Sequence, residues 1–136
     1  MVSWFQTYTK WLHGRWPAGV VEKLPQVDEQ YGSNIPGLYI VGDLTGIPLL
    51  KFSSHSGAVA VQRIVEEGIA AGGSEAASVL DVGIVGAGVS GMAAALAARK
   101  AGLSFELFEA TEPFSTVANF PRCKPIYTYP TDMTPA

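Results

Sequence analysis

Cysteine is all but missing: Cys123 is alone among 136 residues, so neither an internal disulfide nor a Cys-x-x-Cys redox pair can form within one chain. Its setting, an irregular tail with no helix start and no second thiol, marks it as a small side chain rather than a reactive one. Basic runs are missing too. Nine Lys and Arg against twelve Asp and Glu leave a net charge of −3, which argues against nucleic-acid binding by a charged face. No stretch approaches the ~18 consecutive apolar residues of a membrane span, and the N-terminus lacks the basic-then-apolar order of a secretory signal. The expectation is a soluble, cytoplasmic protein with no metal site. Its length suits one small domain and one core.

What the chain does have is Asp81-Val82-Gly83-Ile84-Val85-Gly86-Ala87-Gly88-Val89-Ser90-Gly91, followed by the alanine-rich run Met92 to Ala98. A short apolar run entering Gly-x-Gly-x-x-Gly and then strong helix formers is the layout of a strand, a tight turn and a helix. Such a turn suits a pyrophosphate. Gly86 can take a conformation that a Cβ forbids, Gly88 lets the main chain approach phosphate oxygens, and Gly91 lets the helix press on its strand. The first helix amides, those of Val89 and Ser90 among them, lack partners at the positive end of the helix dipole. After a helix end at Ala101-Gly102, a second strand over 104–109 finishes on Glu109, eighteen residues beyond Gly91. That is close to the distance at which a dinucleotide fold offers a carboxylate to the adenosine ribose. Glu109 would accept both ribose hydroxyls, with Glu106 as the solvated acid of the same strand.

The other segments follow in chain order. Trp4, Phe5, Tyr8, Trp11 and Leu12 lie on one face of a helix over 3–13, a core-packing face, a docking surface or a membrane-surface face. Val20 to Leu24 reads as a brief strand ended by Pro25. Leu38-Tyr39-Ile40-Val41 is a continuous apolar run of the kind found in strands covered on both faces. It delivers Gly42-Asp43 to the carboxyl edge of a sheet, where Asp43 can accept hydrogen bonds from a polyol; alternatively, Asp43 and Thr45 only build a turn before Gly46. Ser53 to Ser56 offer N-caps for a helix from about Gly57 to Glu67. Residues 68–79 form a connector reaching at most roughly 40 Å, enough for a right-handed crossover. Beyond Glu109 the proline-rich remainder shows no third strand, and Arg122 and Lys124 are solvated loop charges.

Taken together, Ser33-Asn34-Ile35-Pro36-Gly37-Leu38-Tyr39-Ile40-Val41-Gly42-Asp43 and Val85-Gly86-Ala87-Gly88-Val89-Ser90-Gly91 with Glu109 resemble the flavoprotein pyridine nucleotide-disulfide oxidoreductases, especially the thioredoxin-reductase-like branch. The resemblance implies an α/β, Rossmann-like FAD-binding fold with a small parallel sheet flanked by helices. It also implies Gly86, Gly88 and Gly91 at the pyrophosphate, Glu109 at the ribose and Asp43 at the ribitol, with NAD(P)H as electron donor. The helix after Gly42-Asp43 would point its N-terminus at the flavin, with Lys51 and His55 the side chains best placed to reach the ring. The two motifs stand in reversed order, as in a permuted or partial enzyme, and the redox cysteine pair is missing. The implied parts are residues 1–34, an aromatic helix and loop; 35–68, the Gly-Asp strand and helix; 69–80, a linker; 81–110, the βαβ unit; and 111–136, the tail. The site would be completed by a second copy or by the remainder of a larger flavoenzyme. No catalytic acid, base or nucleophile stands out. Two other readings remain open: a non-catalytic nucleotide-binding or interaction module, and a Rossmann fragment with NAD at Gly86 to Glu109.

Overall fold

The computed structural model describes residues 8, 23–68 and 79–136. In chain order these form a 3-10 turn (Gly42–Thr45), helix α1 (Leu50–Glu66), strand β1 (Val82–Val85), helix α2 (Val89–Ala101), strand β2 (Phe105–Phe108) and a short helix α3 (Ser115–Ala118). β1 and β2 pair in parallel, Val82 opposite Phe105 and Val85 opposite Phe108. Parallel neighbours need a crossover between them, and α2 provides it. The described fold is therefore α/β, a small parallel sheet with helices against it. No helix among the described residues is long and apolar enough to cross a membrane.

Helix α2 runs where alanine, the strongest helix former, is densest. It stops at Gly102, whose φ of 74° is left-handed. The Leu103 amide then donates back to the Ala98 carbonyl at 3.0 Å, and the Leu103 side chain turns into the core. This C-cap satisfies carbonyls that the helix leaves open, while Arg99 and Lys100 sit at the negative end of the dipole. Strand alternation sends Val82, Ile84, Phe105 and Leu107 toward the helices. There they meet a cluster of Val61 and Ile64 from α1, Ala94, Ala95 and Ala98 from α2, and Leu103. The opposite face of the sheet is bare among the described residues, with Val85 89 % exposed and Phe108 50 %.

Small residues let the helices approach closely. A Cβ on Gly57 of α1 would lie 2.1 Å from the Ser90 carbonyl oxygen and 3.1 Å from the Ala94 amide nitrogen of α2. Both are backbone atoms, so side-chain rotation cannot relieve the overlap.

Three expectations are corrected. Helix α1 begins at Leu50, seven residues before Gly57, and of the serines read as caps Ser53 and Ser56 lie inside the helix, their hydroxyls bonded within it and to the Gly42-Asp43 turn. The run Leu38 to Val41 is not a strand of the parallel sheet. It forms a hairpin with residues 31–33, in which Ser33 donates to the Leu38 carbonyl and Ile40 to the Tyr31 carbonyl, both at 2.9 Å. A cleft of about 410 Å³ separates it from β1, and Leu38 is exposed rather than covered on both faces. The tight turn through Ile35-Pro36-Gly37 explains this, since it brings the run's nearest backbone partners from its own flank. The third correction is α3, which occupies part of the proline-rich remainder. The 3–13 helix apart from Tyr8, residues 20–22 of the brief strand and most of the 68–79 connector lie outside the described residues. Lys23 and Leu24 are not extended into a strand.

The hairpin is tied to the end of α1 by charge. Arg63 bridges Asp28 at 2.5 Å and Glu67 at 2.7 Å, with its guanidinium carbon 5.5 Å from the centre of the Tyr39 ring. The Tyr39 hydroxyl donates to Glu67. Asp28 also accepts the amides of Gln30 and Gly32. The hydrogen bond from Arg63 holds the Asp28 carboxyl below its ordinary range, and that from Tyr39, with Arg63, does the same for Glu67.

Candidate nucleotide-binding site

The turn between β1 and α2 is built on a left-handed residue, Gly86, with φ 94°, a conformation that side-chain-bearing residues rarely adopt. Its amide donates to the Phe108 carbonyl at 2.7 Å, locking the end of β1 to the end of β2. Gly91 lies one turn into α2, where a Cβ would come 1.8 Å from the Gly86 carbonyl oxygen and 3.6 Å from Ile84 Cγ2. The helix therefore presses on the turn at the one residue with nothing to obstruct it. Gly88 is different: a Cβ there meets no atom within 4 Å, and the residue is exposed. The space before Gly88 is open to a ligand.

Electrostatics favour an anion in that space. Gly88 is the N-cap of α2, no side chain caps the helix, and its first turn holds no acid. The amides of Val89, Ser90 and Gly91 thus keep the unpaired donors of a helix start. The carbonyls of the turn face other partners. That of Ala87 accepts the Phe114 amide, and that of Gly88 accepts the Met92 amide, each at 2.9 Å.

Glu109 follows the last residue of β2 and turns back onto the glycine turn. Its Oε2 accepts the Ala87 amide at 2.7 Å, and its Oε1 accepts the Thr111 amide at 3.0 Å and the Thr111 hydroxyl at 3.2 Å. These bonds, the one from Ala87 first, hold the Glu109 carboxyl below its ordinary range. An ionised carboxylate has about four acceptor sites. Protein donors already occupy most of them, so accepting two ribose hydroxyls would require displacing a protein donor, the long Thr111 hydroxyl bond being the weakest.

The Gly42-Asp43 segment meets this turn. Gly42, with φ 76°, sits so close to α2 that a Cβ would lie 2.5 Å from Ser90 Oγ. Asp43 is exposed on the 3-10 turn beside it and accepts the Ser53 hydroxyl at 2.8 Å. The structure thus brings Gly42, Asp43, Gly86, Gly88, Val89, Ser90, Gly91 and Glu109 to one end of the sheet and its helices, although the two motifs lie some forty residues apart in the chain. Lys51 and His55 are engaged elsewhere: Lys51 Nζ donates to the Pro130 carbonyl at 2.7 Å, and His55 Nδ1 accepts the Ala136 amide at 3.2 Å. Arg122 is exposed, as is Lys124, whose ammonium lies 3.6 Å from the Phe120 ring centre. Among the described residues no cluster of His, Cys, Asp or Glu could hold a metal ion.

Four residues that shape the site escape the sequence reading: Ser53, Ser56, Gly57 and Thr111. Thr111 alone had an available signal, its position two residues after the acid, which is the spacing of an Asx-like turn.

A parallel βαβ unit with an uncapped, glycine-led helix start defines a nucleotide-binding α/β module. Residues 84–124 match the family model described as an NAD(P)-binding Rossmann-like domain. No curated protein and no solved structure matches the chain.

Proposed function

We propose that the chain is the FAD-binding part of a flavin-dependent oxidoreductase that accepts hydride from NAD(P)H. The observation that carries this reading is the contact of Gly42 with Ser90, which sets an exposed carboxylate, Asp43, beside an uncapped phosphate-type turn. One extended ligand with a charged bridge and hydroxyls on both sides fits that pairing. A free mononucleotide does not need it.

The residues fit FAD as follows. The amides at Gly88, Val89, Ser90 and Gly91 take the pyrophosphate, Gly86 supplies the bend, and Glu109 takes an adenosine ribose hydroxyl. Gly42 leaves room beside Ser90, and Asp43 accepts from the ribitol. Bound flavin supplies the hydride chemistry. The chain supplies grip and orientation, with the helix dipole of α2 balancing phosphate charge.

A second reading, with NAD in the same turn, is favoured by the description of the matched family and by the position of Glu109, which would repel a 2′-phosphate. Mass spectrometry of the small molecule released on denaturing the purified protein separates the two. FAD, with a yellow solution absorbing near about 450 nm, supports the first. NAD or NADH alone moves the assignment to the second, and failure to bind either added dinucleotide removes both.

A further inference from the structure

Among the described residues, only Ser53 and Ser56 are buried polar side chains, at 4 % and 1 % exposure. Burying a hydroxyl is unfavourable unless it is hydrogen-bonded, so the destination of each bond is informative. Both reach the Gly42-Asp43 turn. Ser56 Oγ donates to the Ser53 carbonyl at 2.8 Å and accepts the Gly42 amide at 2.9 Å. Ser53 Oγ donates to Asp43 Oδ1 at 2.8 Å. The proton directions are fixed by this set: Ser56 has one hydrogen, which it gives to the carbonyl, so it can only accept from Gly42. An ionised Asp43 carboxylate can only accept, so Ser53 must give its hydrogen there.

The consequence for Asp43 is asymmetry. Its side chain is exposed, yet one of its two oxygens is held by a buried donor on the first half of α1. We propose that Ser53 is a positioning residue that pins one oxygen of Asp43 and leaves the other to accept a polyol hydroxyl, while Ser56 anchors the backbone of Gly42. The inference rests on reading Asp43 as the acceptor for the ribitol of FAD. Without Ser53 the carboxylate rotates freely and the hydroxyl bond must order it at the moment of binding, a cost that appears in affinity. Ser54 is a useful control, because it stands on the same turn of α1 and makes no bond to this segment.

The test is a double-mutant cycle on the full chain, titrated with FAD and followed by flavin fluorescence. Ser53→Ala is expected to weaken FAD binding on the order of tenfold, the scale of one charge-assisted hydrogen bond. Asp43→Ala should weaken it at least as much, the double variant no further than Asp43→Ala alone, and Ser54→Ala not at all. Ser53→Cys keeps the shape of the buried side chain while weakening the donor, so it should reproduce the loss even if the alanine variant folds poorly. Losses that multiply in the double variant, or full affinity in Ser53→Cys, overturn the positioning role while leaving the FAD assignment standing. A wild-type chain that takes up no FAD overturns that assignment and the role of Ser53 with it.

Discussion

Glycines in this chain divide by what a methyl group would strike. At Gly88 it strikes nothing, whereas at Gly57 it would lie 2.1 Å from a backbone oxygen of the neighbouring helix. Substituting alanine in mid-helix ordinarily stabilises by up to about 1 kcal/mol, but the overlap at Gly57 outweighs this. Gly57→Ala should lower stability by about 1–3 kcal/mol in urea unfolding, as overpacked cores do. Gly88→Val should do the reverse of that pattern. Loss of a favourable N-cap residue costs under about 1 kcal/mol, while the added side chain fills the space where phosphate oxygens would approach, so dinucleotide titration should show binding abolished in a folded protein. Of these residues, Gly86, Gly88 and Gly91 were legible because their spacing falls between an apolar run and a run of strong helix formers, a context that specifies a turn. Gly57, Ser53 and Ser56 were not: their meaning lies in partners at Ser90, Asp43 and Gly42 that no local pattern names. A run such as Ser53-Ser54-His55-Ser56-Gly57 reads as caps until tertiary contacts claim the hydroxyls.

Among the elements, the βαβ unit was legible nearly to the residue, since alternation, alanine density and a terminal glycine all agree along 81–109. The start of α1 and the fate of Leu38 to Val41 were not, because an apolar run carries no record of which edge it will pair with. The elements are joined by carboxylates. Asp81 accepts both the amide and the hydroxyl of Ser104 at 2.7 Å, clasping the start of β1 to the start of β2, and these bonds depress its ionisation range. Asp28, Glu67 and Glu109 are depressed by the donors named above. A carboxyl lowered on folding binds fewer protons in the native state than in the unfolded one. Its contribution is therefore complete above the unfolded values, about 4 to 4.5, and disappears as pH falls through the lower native values. The thermal midpoint should be flat from pH 7 to about 5 on this account and fall in stronger acid. Asp81→Asn should flatten part of that fall; an unchanged acid profile in the variant would remove Asp81 from the explanation.

For the whole molecule, the decisive fact is that helices cover one face of the two-stranded sheet and none of the described residues covers the other. Among the described residues Val85 is exposed there and Phe108 half exposed, beside Gly83, whose added Cβ would just touch the Phe108 ring at 4.0 Å. A side chain that is already exposed gives up little when made polar. Val85→Thr should thus change stability by no more than about 0.5 kcal/mol, and it should raise the concentration at which light scattering first detects association. A large loss of stability would mean that Val85 is covered after all. The expectation of cover on both faces was drawn only for Leu38 to Val41, from an unbroken apolar sequence, which records what a run can tolerate rather than what it receives.

The carbonyls of Ala87 and Gly88 are both committed to protein donors, so at Gly88 the main chain presents the open amides of the α2 start to a ligand rather than its own carbonyls. Such a surface discriminates by sign before it discriminates by shape. Sulfate should therefore compete with any dinucleotide for it, and exchanging chloride for sulfate at constant ionic strength should raise the apparent dissociation constant, whereas exchanging sodium for potassium should leave it unchanged.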